Sequence, residues 1–225
     1  IVPGYDFISG EEWKGALCYA RANDGDGRDP DPKDEGDWIT EEEHDGTDAT
    51  GGLFEECSVG GSSWHGTHVA GTIGANTNNG LGVAGIDWNC KILHARVLGK
   101  CGGYDSDIAD AMRWSAGIHI DGVPDNTYPA KVLNLSLGGE EECGHTYQNA
   151  INDVIDQGAV VVVAAGNSDS DMSKFAPANC NGVIAVAAVN RLGGRASYSN
   201  YGSGVTIAAP GGDKPVDPHG VLSLL

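Results

Sequence analysis

An α/β fold with a mostly parallel sheet is the class this sequence predicts, and three observations predict it. From His65 onward, short apolar runs alternate with segments of helical periodicity, the pattern of strands joined by crossover helices. The run Ala159–Ala165 is apolar throughout and valine-rich, as a strand buried on both faces should be. Glycine occupies 35 of 225 positions, which supplies the tight turns of a globular chain.

In chain order, the first 60 residues read as turn-rich. Asp24–Asp37 holds six aspartates, one glutamate, three glycines and two prolines, a composition that cannot build a core and reads as a surface loop needing a cation or solvent. Thr67–Ala75 follows as a helix with His65 at its N-terminal end. Cys90–Leu98 reads as a strand. Ser106–Gly117 reads as a helix: Ser106 can cap it, Asp107 and Asp110 lie in its first turn, and Ile108, Met112 and Ala116 recur at helical spacing. Lys131–Leu135 is the next strand. His145–Gln157 is a helix with Ala150, Val154 and Ile155 facing inward and Gly158 ending it. Val160–Val163, Val183–Val189 and Val205–Ala208 complete the strands. No internal repeat is visible. Ligands in parallel sheets bind beyond the carboxyl ends of strands, and Ser136–Gly139 and Gly166–Asn167 lie just past two such ends.

Thirteen basic against 32 acidic residues give a net charge of −19. That disfavours nucleic acid and anionic membrane as partners, since the electrostatic term that dominates such binding would be repulsive. No apolar run approaches the ~20 residues of a membrane span. Cys18, Cys57, Cys90, Cys101, Cys143 and Cys180 are widely spaced, without a Cys-x-x-Cys pair for zinc or redox chemistry. Disulfides in an oxidising compartment fit this usage; buried free thiols are the alternative. No signal peptide opens the chain, and both ends read as cut from a longer protein.

The chemistry-bearing stretches are His65-Gly66-Thr67-His68-Val69-Ala70-Gly71-Thr72, Leu133-Asn134-Leu135-Ser136-Leu137-Gly138-Gly139 and Val163-Ala164-Ala165-Gly166-Asn167. A histidine at a helix N-terminus can present its imidazole to a cleft, and its pKa near neutrality suits a general base. A packed core histidine is the alternative, as is a metal pair of His65 with His68, for which no third ligand stands at a suitable spacing. The asparagine amide can donate to a developing oxyanion, or simply serve a turn after a strand. The extended Leu135–Gly138 segment can pair with a peptide backbone. Ser136 lacks the Gly-x-Ser-x-Gly setting of a nucleophile. Asp24-Gly25-Asp26-Gly27-Arg28-Asp29-Pro30-Asp31 alternates carboxylates with turn residues, which suits the oxygen-rich shell of calcium; a solvated acidic loop is the alternative.

In order and spacing, the three stretches resemble the histidine segment, the substrate-binding strand and the oxyanion asparagine of subtilisin-like serine proteases. The resemblance implies a three-layer subtilisin-like α/β fold, a mostly parallel sheet with helices on both faces, incomplete at both ends. Residues 1–225 would form one partial catalytic domain, with 1–60 the turn-rich acidic calcium-loop segment and 61–225 the α/β core. It implies His65 as general base and Asn167 as oxyanion donor. Leu135, Ser136, Leu137 and Gly138 would bind the substrate backbone, while Ala164, Ala165 and Gly166 leave room for the side chain next to the scissile bond. Tyr104 and Leu137 would wall the next apolar subsite. His68 would be a buried structural residue. The acidic loop resembles a calcium loop of secreted bacterial members, with Asp24, Asp26, Asp29 and Asp31 holding Ca2+; Asn76–Val83 resembles a second. By the same resemblance Cys57 pairs with Cys101 and Cys143 with Cys180, leaving Cys18 and Cys90 unassigned. Protein or peptide substrates, an extracellular location and a monomer follow. The family also needs an aspartate in Asp-Ser/Thr-Gly and a serine in Gly-Thr-Ser, and neither tripeptide occurs in these 225 residues. The chain is therefore expected to be inactive alone, with a peptide- or calcium-binding pseudoprotease and a metal-dependent hydrolase as rival readings.

Overall fold

A computed structural model describes residues 1–214 and 220–224. The chain forms two compact units. One comprises Ile1–Ala111, His119–Tyr128 and Leu224–Leu225, and the other Met112–Ile118 and Pro129–Ser223.

In the first unit, β1 (Val2–Asp6) runs parallel to β4 (Leu93–Arg96), with Tyr5 opposite Ala95 and Asp6 opposite Arg96. The hairpin of β2 (Glu11–Trp13) and β3 (Ala16–Cys18) turns through Lys14 and Gly15, both at positive φ, the two-residue geometry that matches strand twist. The four-residue helix α1 (Glu41–His44) starts with a capping box. Thr40 Oγ1 accepts from the Glu43 N–H, and the Glu43 carboxylate accepts from the Thr40 N–H. Ile39, Phe54 and Cys57 form a small core, and Tyr5, Phe7 and Ile8 are buried near β1. Helix α2 spans His65–Gly74.

Buried charge in this unit is paired, as it must be to offset desolvation. Arg96 Nη1 donates to Asp6 at 2.5 Å and to Asp24 at 2.7 Å. Burial nevertheless pushes the Asp6 carboxyl up to about 6, ahead of the opposing pull of the Ile8 N–H and the Arg96 guanidinium. Arg28 bridges Asp107 at 2.6 Å and Asp110 at 2.8 Å, while Ser9 also donates to Asp107.

Helix α3 (Asp105–Ser115) begins in the first unit and ends in the second. It starts one residue before the predicted cap. The Ile108 N–H donates to the Tyr104 carbonyl, which places Ser106 inside the first turn. Asp107, read as a first-turn residue, is buried against Arg28 and Ser9.

The second unit is a parallel sheet of β5 (Val132–Leu135), β7 (Val160–Ala164), β9 (Ile184–Val189) and β10 (Ile207–Pro210), in spatial order β10-β9-β7-β5. Leu133 lies opposite Val161, Leu135 opposite Val163, and Val163 opposite Ala185; all five are buried. The alternate residues Val132 and Val160 are exposed, the two-residue alternation of a pleated sheet. Helix α4 (His145–Asp156) packs on β7 through a stripe of Tyr147, Ala150, Ile151 and Val154, spaced i, i+3, i+4, i+7. Burying side chains the size of Ile151 and Val154 contributes about 1.5–3 kcal/mol each. Ile155, read as inward, stands one step round the helix and is 39% exposed. Gly158, at φ +74°, ends the segment by donating to the Ile155 carbonyl. A short antiparallel pair, β6 (Gly139–Glu140) with β8 (Phe175–Ala176), lies after β5. The Ala176–Pro177 peptide is cis. Cys57 is joined to Cys101 within the first unit and Cys143 to Cys180 within the second, with Cα separations of 5.7 and 5.2 Å; Cys18 and Cys90 are free thiols.

Candidate active site

The second unit brings two of the chemistry-bearing stretches together. β5 and β7 are adjacent and parallel, and Leu135 is level with Val163. β5 ends at Leu135 and β7 one residue past that level, at Ala164, so both chains pass the carboxyl edge of the sheet there, where α/β sheets bind ligands. Leu135 and Ala165 are buried, Ala164, Ser136, Leu137 and Gly166 half-buried, and Gly138 and Asn167 exposed. The Ser136 hydroxyl accepts from Asn134 Nδ2 at 3.0 Å. The Ala165 N–H donates to the Val186 carbonyl of β9, which continues the ladder beyond β7.

Past Ala165 the chain turns through Gly166 at φ +108°, a conformation that favours glycine. The turn wraps the side chain of Asn200, which is fully buried. Asn200 Nδ2 donates to the Ala165 carbonyl at 2.9 Å, and its backbone N–H donates to the Gly166 carbonyl at 2.9 Å. Asn200 Oδ1 accepts from the N–H groups of Ser168 at 2.9 Å and Ser170 at 3.1 Å. These contacts bracket Asn167 on both sides. Nothing local in the sequence marks Asn200, because its partners lie 30–35 residues away.

In the first unit, His65 is the first residue of α2 and is exposed. Trp64 before it adopts a left-handed backbone at φ +50°. Ser63 Oγ accepts from the His65 N–H at 3.3 Å, and Ser63 in turn donates its N–H and hydroxyl to the Asp37 carboxylate at 2.6 and 2.7 Å. Asp37 and Ser63 thus fix the backbone entering the histidine helix. His68 is half-buried one turn further on, and its carbonyl accepts from Thr72 Oγ1.

Tyr104 is 38% exposed and donates its hydroxyl to Glu11 Oε2 at 2.5 Å. Arg21 lies over its ring at 5.0 Å, donates to the same Glu11 oxygen at 3.2 Å and holds the carbonyls of Lys100 and Cys101. Burial and then the Glu11 contact push the Tyr104 phenol up. Glu11 and Arg21 are absent from any sequence motif, yet they orient this aromatic.

The carboxylates of the acidic loop engage an arginine and the loop's own backbone. Asp24 is held by Arg96, Asp29 Oδ1 accepts from the Asp31 N–H at 2.7 Å, and Asp31 Oδ1 accepts from the Lys33 N–H at 3.2 Å. Asp26 is exposed, and its own N–H donates to Asp24. Among the described residues, no three His, Cys, Asp or Glu side chains stand together as a set able to hold a metal ion. Nor, among the described residues, is any helix long and apolar enough to cross a membrane.

His65 and Tyr104 thus belong to one unit, and Leu135–Gly138 and Ala164–Asn167 to the other. The second unit is thus a parallel α/β sheet with an exposed asparagine just past β7, and in the first unit a histidine opens a helix. The sequence profile described as the Subtilase family matches residues 37–224, and the chain belongs to that family. Members of this family are serine endopeptidases. A protein named extracellular basic protease, from Dichelobacter nodosus, is 51% identical over 211 residues, covering 94% of this chain and 33% of its own length. A protein named extracellular protease, from Xanthomonas campestris pv. campestris, is 49% identical over 215 residues with the same coverage. A solved protease structure from Pseudoalteromonas arctica superposes with a TM-score of 0.86 at 50% identity, covering 99% of this chain and 61% of that one. The fold is therefore subtilisin-like. The chain spans about a third of the length of the curated relatives it matches.

Proposed function

We propose that this chain carries the general base, the oxyanion donor and the peptide-aligning strand of a secreted serine endopeptidase. The observation that supports the reading is the parallel register of β5 and β7, in which Leu135, just before Ser136–Gly138, is level with Val163, just before Ala164–Asn167. A peptide laid along Leu135–Gly138 as an added strand would run past the asparagine. There the Asn167 amide donates to the carbonyl oxygen as it gains charge. Ala164–Gly166 offer little side-chain bulk, leaving space for the substrate residue next to the scissile bond. His65 takes the proton of the attacking serine hydroxyl and returns it to the leaving amine.

The serine and the orienting aspartate are assigned to sequence outside these 225 residues, which contain neither Gly-Thr-Ser nor Asp-Ser/Thr-Gly. The extracellular names of the relatives and the two joined cysteine pairs support secretion. Calcium binding at Asp24, Asp26, Asp29 and Asp31 is part of the proposal on the alternation of carboxylates with Gly25 and Gly27. The 225-residue chain alone should neither cleave a chromogenic peptide nor be labelled by a serine-directed phosphonate, whereas the complete protein should do both. Labelling at a serine within this chain would overturn the assignment. A complete protein that binds peptides without labelling would make it a pseudoprotease.

A further inference from the structure

We infer that Asn200 is a positioning residue for the oxyanion hole, fixing the loop that aims Asn167; the inference rests on the oxyanion role proposed for Asn167. Asn200 is fully buried, and its carboxamide is used as both donor and acceptor. The donor end and the backbone N–H take the two carbonyls before Asn167, those of Ala165 and Gly166. The acceptor end takes two N–H groups after it, those of Ser168 and Ser170. One side chain therefore closes the turn on both sides of Asn167 while leaving that residue exposed.

The clamp is itself tied to the sheet. Ser199 Oγ donates to the Asn200 carbonyl at 3.0 Å and accepts from the Ala188 N–H of β9 at 2.8 Å. Arg195 donates to the Ser199 carbonyl at 2.5 Å and pairs with Asp169 at 2.7 Å. The Tyr201 N–H donates to the Ser170 carbonyl, and the Met172 N–H donates to the Tyr201 carbonyl. Gly166 completes the fit, since any Cβ there would collide with Asn200 Nδ2.

Residue chemistry restricts the position. An aspartate would keep the acceptor but place a charge in a buried site and lose the donor. An alanine would leave one carbonyl and two N–H groups without partners. Neither contact touches substrate, so the effect on rate must pass through Asn167. An amide displaced by about 1 Å from the developing oxyanion loses most of its value, because such donors act only when preorganised.

The test is a double-mutant cycle in the complete protease, with kcat and KM taken per titrated active site and Tm measured on the same samples. Asn200→Ala should lower kcat by about tenfold or more while changing KM less than about twofold. In an Asn167→Ala background the same change should lower the residual kcat less than about twofold, because the group it positions is gone. Asn200→Ser, which retains a short polar group, should fall between and serves if the alanine variant does not fold. Losses that multiply in the double mutant, or a lowered Tm with unchanged kcat, would reduce Asn200 to a structural residue and overturn the inference. Full kcat in the single Asn167→Ala variant would overturn it as well, and would identify the oxyanion reading as the part that failed.

Discussion

Leu135 of β5 lies level with Val163 of β7, so the segments proposed to bind the substrate backbone and the oxyanion follow strands held in one register. A single amide offered at that edge can discriminate a tetrahedral oxyanion from a ground-state carbonyl only if it is held in place.

Asn167→Ala in the complete protease should therefore lower kcat by about 10²–10³-fold with little change in KM; that magnitude is the one known for a subtilisin oxyanion asparagine. If Asn167 were only a turn residue, Tm would fall and kcat per folded molecule would stay. Steady-state kinetics and thermal melting on one preparation separate the two.

Much of this was legible in the sequence. The histidine segment, the strand ending at Leu135 and the apolar run before Gly166 were found because each carries a local period or motif. The amphipathic stripe of α4 was legible too, although Ile155 was misplaced by one step of the helical wheel. The clamps were not. Asn200, Glu11 and Arg21 act through partners far away in sequence, and burial of a lone polar side chain leaves no periodic trace. Thr40-x-x-Glu43 is a capping box, but a four-residue helix carries no hydrophobic repeat to go with it. The β2–β3 hairpin was hidden for a similar reason, with three-residue strands too short to show alternation.

Removing the Cys57–Cys101 link should destabilise the protein. Its sequence separation of 44 corresponds to roughly 4 kcal/mol on the chain-entropy model, less any native strain. Denaturant unfolding of a Cys57→Ser, Cys101→Ser variant reads this directly. An unchanged midpoint would mean that other contacts already hold this part of the first unit.

Glu43 should give an acid-limb signature. Burial alone would raise its carboxyl, but Lys100 Nζ at 2.5 Å and the Thr40 N–H outweigh that and hold it below its ordinary value. An acid lowered in the folded state contributes stability above its unfolded value of about 4.3, and that contribution is lost as pH falls through the lowered value. Glu43→Gln should cost about 2–3 kcal/mol at pH 7, with Lys100 left buried without its counter-charge. The difference from wild type should shrink below about pH 4. Tm against pH for both proteins checks it, and a pH-independent difference would mean that the ion pair is not the cause.

Arg96 is a counter-charge of the acidic loop, and the proposal adds calcium as a second. Chelation should lower the Tm of the complete protein, and Asp26→Ala should remove most of that dependence if the loop closes on the ion. A chelator response that survives in the variant would move the calcium site elsewhere, and no response at all would leave Arg96, already bound to Asp6 and Asp24, as the loop's cation.

The turnover of the complete protein carrying His65→Ala tests the central claim most directly. His65 opens α2 as an exposed side chain on a backbone fixed by Ser63 and Asp37, so its removal should leave Tm within a degree or two. If His65 is the base of the proposal, its loss should lower kcat by more than about 10³-fold and abolish phosphonate labelling. A folded His65→Ala protein that still turns over peptide at a rate near wild type would contradict the catalytic role of this chain.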